Sequence, residues 1–158
     1  MGTDINVRIV KRNIETDLWE QVKLYRKYKG EMKVVDIYPF RNSELFDILN
    51  ENEDDDYIAS SLSLTNLPKD LKEEIEKYQN TIGCFNFKEV NLADLKLYLY
   101  KTPKIRDWDY EDNHPKAWKD NPVKYFIERI EQYIDFADSW WDWGSPYSSV
   151  KILYWFDC

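Results

Sequence analysis

The stretch VKILYWF, residues 150–156, places six apolar side chains in seven positions. A strand that is apolar on both alternating faces belongs inside a sheet and not at its edge. Such a strand needs neighbours, and DINVRIVKR (4–12) supplies one. Ile5, Val7 and Ile9 point one way while Asn6, Arg8 and Val10 point the other, which is the period of a half-buried strand. NIETD follows as a turn and LWEQVKLYR (18–26) resumes the strand pattern, so a β-hairpin is expected there. KVVDIY (33–38) is a further short strand.

Helical signals lie between these strands. Ser43 can cap a short helix, ELFDIL, with Leu45, Phe46 and Leu49 on one side. Pro68 suits the first turn of a helix through LKEEIEKY, which aligns Leu71, Ile75 and Tyr78. TIGCFNFKEV (81–90) reads as strand or loop. Asn91 with Asp94 imitates a capping arrangement for ADLKLYLY. Asn121-Pro122 opens the clearest helix, in which Val123, Phe126, Ile127, Ile130, Ile134, Ala137 and Trp141 follow the helical repeat until Gly144-Ser145-Pro146 stops it. The expectation is one α+β domain over residues 1–158, a mostly antiparallel sheet with one long C-terminal helix packed on a face and shorter helices beside it.

The last part of that helix, DFADSWWDWG (135–144), concentrates aromatic and acidic groups. At about 100° per residue Trp141 falls on the apolar stripe as a core anchor, Trp140 on its flank and Trp143 outside it. Glu128, Glu131, Asp135, Asp138 and Asp142 fall on the opposite side as an acidic ridge. Aromatic residues make up 16% of the 158-residue chain, which offsets a modest aliphatic content in building a core. The net charge is −8. Nucleic-acid affinity comes largely from Lys and Arg neutralising phosphates, so direct nucleic-acid binding is disfavoured unless the basic residues gather on one face. An acidic surface suits a basic protein partner, or solubility alone.

Two cysteines, Cys84 and Cys158, make no secreted disulfide framework. The first residues lack the apolar stretch of a signal peptide, and Asn6 stands where a myristoylation motif wants Ser or Thr. No run approaches a membrane span, and the expected setting is the cytoplasm. His114 is the only histidine, and its polar loop suits a solvated side chain better than a base. Cys84 reads as a buried structural thiol. Asp107, Asp109 and Glu111 have the spacing of a calcium loop, but Asp112 stands where Gly is needed and Trp118 where the bidentate Glu belongs. There is no phosphate-cradling glycine loop, GxSxG or HExxH pattern. No catalytic residue, metal ligand or cofactor is assigned.

MGTDINVRIVKR, RNSELFDIL, NLPKDL, VNLADL and VKILYWFDC, in that order, resemble a group of small phage and prophage proteins. Members typically begin Met-Gly-Cys-Asp-Ile-His, carry an Arg-Asn-Tyr-x-Leu-Phe-x-Ile-Leu segment, and finish on a strand ending near Phe-Asp-Asn. The resemblance spans almost the whole chain through short motifs. It implies a mobile-element setting and brings no reaction with it. Where the group has Cys and His, this chain has Thr3 and Asn6, and the group's His-Ser-x-Ser-Trp segment is here only CFNFKEV; if those Cys and His residues form a metal or catalytic site in the group, its softer ligands are gone here. Asp4 and Arg41-Asn42 remain, with Asp4 and Arg41 read as a structural ion pair anchoring the first strand.

Three functions are weighed. The favoured one is a phage or mobile-element accessory protein that binds and inhibits a host protein with a basic surface, in the sharpest version a nucleic-acid-binding defence protein, with carboxylates standing where phosphates would sit. Its contact residues are Asp54, Asp55, Asp56, Asp107, Asp109, Glu111, Glu131, Asp135, Asp138, Trp140, Asp142 and Trp143. The alternatives are a metal-assisted hydrolase using Asp4 and other carboxylates, or a sugar-binding module stacking ligands on Trp108, Trp118, Trp140 or Trp143.

Overall fold

The computed structural model of the chain describes residues 4–13, 15–36, 49, 59–101, 122–137 and 150–158. The fold is α+β. A five-stranded sheet has the order β2-β1-β7-β6-β5, with every described pairing antiparallel. Its strands are β1 (Asp4–Arg12), β2 (Trp19–Val22), β5 (Ser60–Ser61), β6 (Cys84–Asn91) and β7 (Val150–Asp157). A separate two-stranded ribbon joins β3 (Leu24–Tyr28) to β4 (Glu31–Val35). The described helices are α1 (Lys69–Gln79), α2 (Leu92–Lys101) and α3 (Pro122–Ala137).

The stretch 150–156 occupies the central place expected of it. β7 lies third of five strands, with β1 on one side and β6 on the other. Its alternation feeds two cores. Val150, Ile152, Tyr154 and Phe156 join Ile5, Val7 and Ile9 of β1 under α2 and α3, which contribute Leu92, Leu95, Tyr98, Val123, Phe126, Ile127 and Ile130. Leu153 and Trp155 face the other way with Val10, under Leu71 and Ile75 of α1. The sheet is therefore filled from both faces, which is why so short a strand can carry six apolar residues.

α1 begins where Pro68 predicts, with φ −55° and ψ 143° at that residue. Leu71 and Ile75 are buried, and the Tyr78 ring lies 5.2 Å from that of Trp155. β6 resolves the ambiguity of 81–90 in favour of a strand, interrupted by a register shift between Phe85 and Lys88. Asn86 takes a positive φ of 53° at that shift. One extra residue lets Phe85 pack into the α2–α3 core and Phe87 into the α1 core.

One expectation is corrected. The long helix is not C-terminal: α3 runs Pro122–Ala137, and the closing element is β7. Its apolar stripe of Val123, Phe126, Ile127 and Ile130 does pack on a sheet face as expected. The continuation through Trp141 to Gly144 lies outside the described residues, as does the helix proposed to begin at Ser43 apart from Leu49, which is helical and buried.

Candidate functional site

β2 pairs with β1 only from Ile9↔Val22 to Arg12↔Trp19. At Lys23 the chain leaves the main sheet and starts the β3–β4 ribbon, so among the described residues β2 does not extend along the Asp4–Arg8 half of β1. A cleft of about 350 Å³ opens at this notch. It is bounded by Val7 and Arg8 of β1, Gln21 to Lys23, Asp70, Leu71 and Glu74 of α1, and Val34 and Asp36 from the base of the ribbon.

The notch has an apolar floor and charged walls. Arg8 Nε donates to Glu74 Oε1 at 2.7 Å, one of its terminal nitrogens donates to the Val7 carbonyl at 3.0 Å, and the guanidinium lies 5.1 Å from the Trp155 ring centroid. Lys23 Nζ donates to Asp70 Oδ2 at 3.1 Å. That bond, with a second from the Leu71 N–H, holds the Asp70 carboxyl below its ordinary range. Both cations of the notch are thus matched by carboxylates of α1, a geometry that tethers the helix to the sheet edge.

Above the notch stands the ribbon. Its two-residue turn, Lys29-Gly30, has positive φ at both positions, 49° and 83°, the signature of the tight hairpin turn that matches strand twist. Tyr25, Tyr28, Met32 and Val34 are each more than half exposed. Lys29 Nζ and Lys33 Nζ lie 5.5 and 5.4 Å from the Tyr28 ring centroid. Residues 24–35 contain Arg26, Lys27, Lys29 and Lys33 against Glu31 alone, a net +3 within a chain of −8, which leaves −11 on the remainder. Four of the chain's 22 Lys and Arg residues thus lie on this ribbon. The clue in the sequence was Gly30 between LYRKY and EMKVV, which the continuous alternation of LWEQVKLYR obscured.

Glu128 of the acidic ridge is exposed, 3.8 Å from Lys124. Of the contact residues selected from sequence, Glu131 alone has a described side chain. It pairs with Lys96 of α2 at 3.0 Å and thus fastens two helices together. Asp135 lies on α3. Asp54, Asp55, Asp56, Asp107, Asp109, Glu111, Asp138, Trp140, Asp142 and Trp143 lie outside the described residues, as do Arg41, Asn42, Trp108, His114, Trp118 and Trp141.

Asp4 opens β1 opposite Asp157, which in turn lies opposite Cys84, so the three occupy one row across β1, β7 and β6. Among the described residues no three His, Cys, Asp or Glu side chains converge as a metal site. Cys84 is a free, half-buried thiol. Burial and then the Asp157 carboxylate push it above the ordinary thiol range. Among the described residues no helix is long and apolar enough to cross a membrane. Compared with known proteins, the chain matches no family model, no curated protein and no solved structure.

Proposed function

We propose that the protein is an accessory binding protein of a phage or other mobile element, which docks an acidic, aromatic-rich surface onto a basic host protein and inhibits it. The observation that carries this reading is the segregation of charge. With +3 held on the β3–β4 ribbon, the other residues carry −11, more than the total suggests. A field of that sign accelerates encounter with a basic partner and repels acidic ones. A nucleic-acid-binding defence protein is the sharpest target, with carboxylates standing where phosphates would sit, and the phage-group resemblance supports that setting.

The test is capture from nuclease-treated host lysate at about 50 mM and about 500 mM salt, followed by calorimetry with the purified partner. The expected result is a basic protein retained at low salt, released at high salt, and bound at least about tenfold more weakly after Asp54, Asp55 and Asp56 are changed to Asn together with Asp107 and Asp109, since each tenfold loss corresponds to about 1.4 kcal/mol. Absence of any such partner at low salt, or affinity indifferent to these substitutions, would sink the proposal.

A further inference from the structure

We propose that the Tyr28 face of the β3–β4 ribbon is a docking surface for single-stranded nucleic acid, with Lys29 and Lys33 meeting phosphates and Tyr28 offering its ring to a base. This goes beyond the acidic-surface reading and uses none of its residues.

Three observations converge. First, the ribbon's lysines are exposed and, among the described residues, have no carboxylate partner. Elsewhere several cations are paired, as in Arg8–Glu74, Arg12–Asp17, Lys23–Asp70 and Lys151–Glu89, while Lys69, Lys72 and Lys77 of α1 share the ribbon's lack of a carboxylate partner among the described residues. What the ribbon adds is an aromatic ring beside its cations. Second, two of them flank an aromatic ring: Lys29 and Lys33 both lie within 5.5 Å of the Tyr28 centroid. Tyr25 and Lys27, opposite Val34 and Met32, lie on the other face of the ribbon and take no part. Third, five-residue strands extend roughly 17 Å at about 3.4 Å per residue. That is about two screening lengths at physiological salt, so the tip acts largely apart from the −11 of the remaining chain.

Charge alone would also suit an acidic peptide, but such a partner leaves the ring faces unused. A nucleic-acid strand supplies phosphates and flat bases together, and stacking on aromatic side chains is tolerant of sequence. Four solvent-facing apolar or aromatic side chains on a ribbon of this size are otherwise a liability for a soluble edge.

The experiment is fluorescence anisotropy of fluorescein-labelled fifteen-nucleotide oligo-dT and oligo-rU, with labelled fifteen-residue polyglutamate in parallel, over about 50–200 mM salt. Each phosphate neutralised on a single strand contributes about −0.7 to the logarithmic salt slope, so two lysines predict a slope near −1.4 and roughly sevenfold weaker binding across that range. Lys29→Ala with Lys33→Ala should bring the slope close to zero. Tyr28→Ala should weaken binding at least about fivefold with the slope unchanged, and Tyr28→Phe should restore it. Circular dichroism and thermal melts confirm that these exposed substitutions leave the fold intact. Three results would overturn the proposal: no oligonucleotide binding at about 50 mM salt, polyglutamate bound as tightly as oligo-dT, or a slope unaffected by the double lysine change. Because the partner capture above is done after nuclease treatment, failure here and failure there are distinguishable.

Discussion

The hydroxyl of Tyr154 donates a 3.0 Å hydrogen bond to the backbone carbonyl of Leu49, 105 residues earlier in the chain. Its neighbour Trp155, turned to the other face of the sheet, is equally buried, yet its indole N–H meets no acceptor among the described residues. These adjacent residues therefore respond oppositely to loss of a polar atom. Tyr154→Phe removes a satisfied buried bond, a cost of about 0.5–1.5 kcal/mol. Trp155→Phe leaves a small cavity worth about 1 kcal/mol, offset by removal of an unsatisfied donor of similar cost. Urea unfolding should show the Tyr154 variant to be the weaker of the two. The reverse order would mean that the indole N–H finds a partner in solution.

Lys151, Glu89 and Trp19 form the most enclosed ionic group of the sheet. Lys151 Nζ lies 3.2 Å from both carboxylate oxygens of Glu89 and 4.5 Å from the Trp19 centroid, and Glu89 also accepts the Ser63 N–H at 3.0 Å. The two charged side chains are only 13% and 15% exposed. Removing one partner leaves a charge half-stripped of water, so Glu89→Ala should cost about 3 kcal/mol or more. Replacing both, as Lys151→Met with Glu89→Leu, should recover most of that loss, because a buried pair and a well-packed apolar pair are close in free energy. A double-mutant cycle by denaturant unfolding reads the coupling. Additive losses would show that the ions contribute separately.

What could be read in the sequence follows from how local the signals are. VKILYWF announces a central strand because both of its faces are apolar, and that needs no knowledge of its neighbours. α1 is equally local, with Pro68 at its start and the Leu71–Ile75–Tyr78 spacing. The division of LWEQVKLYR into β2 and β3 is not local: the alternation passes through Lys23 unbroken, and the chain departs there as Lys23 reaches Asp70 on a helix 47 residues away. β6 was obscured by its bulge, since Asn86 shifts the alternation by one residue and mixes strand with loop signals. At the candidate site, total charge hid its own distribution. A net of −8 directs attention to carboxylates, whereas residues 24–35 alone carry a net +3.

Two glycines with positive φ should differ sharply in their tolerance of a methyl group. At Gly30, φ +83°, an added Cβ meets nothing within 4 Å, so Gly30→Ala bears only the backbone penalty, about 1 kcal/mol. At Gly83, φ +95°, the same atom would sit 2.9 Å from the Cys158 carbonyl oxygen. That contact abuts the bond from the Cys158 N–H to the Gly83 carbonyl, 3.1 Å long, which ties the start of β6 to the end of β7. Gly83→Ala must move backbone as well as bear the conformational cost, about 2–3 kcal/mol together. Thermal melts of the two variants should separate by several degrees, and equal melting temperatures would show that the strand end yields freely.

The Cys84 thiol gives the fold a sensitivity to alkali. Burial is the larger cause of its raised pKa and the Asp157 carboxylate the smaller. A group whose folded pKa exceeds its unfolded one contributes stability that is whole below the unfolded value and disappears as pH rises through the folded value. Lys11 and Lys88 act with the opposite sign, because burial lowers theirs and stability grows as they lose their protons. The thiol contribution must therefore be isolated by comparing wild type with Cys84→Ala at each pH. Alkylation rates on a Cys158→Ser background should inflect above the ordinary thiol range, and Asp157→Asn should move that inflection part of the way down, leaving the share due to burial. An inflection at the ordinary value would show that Cys84 meets water freely, and the alkaline loss of stability would then be absent as well.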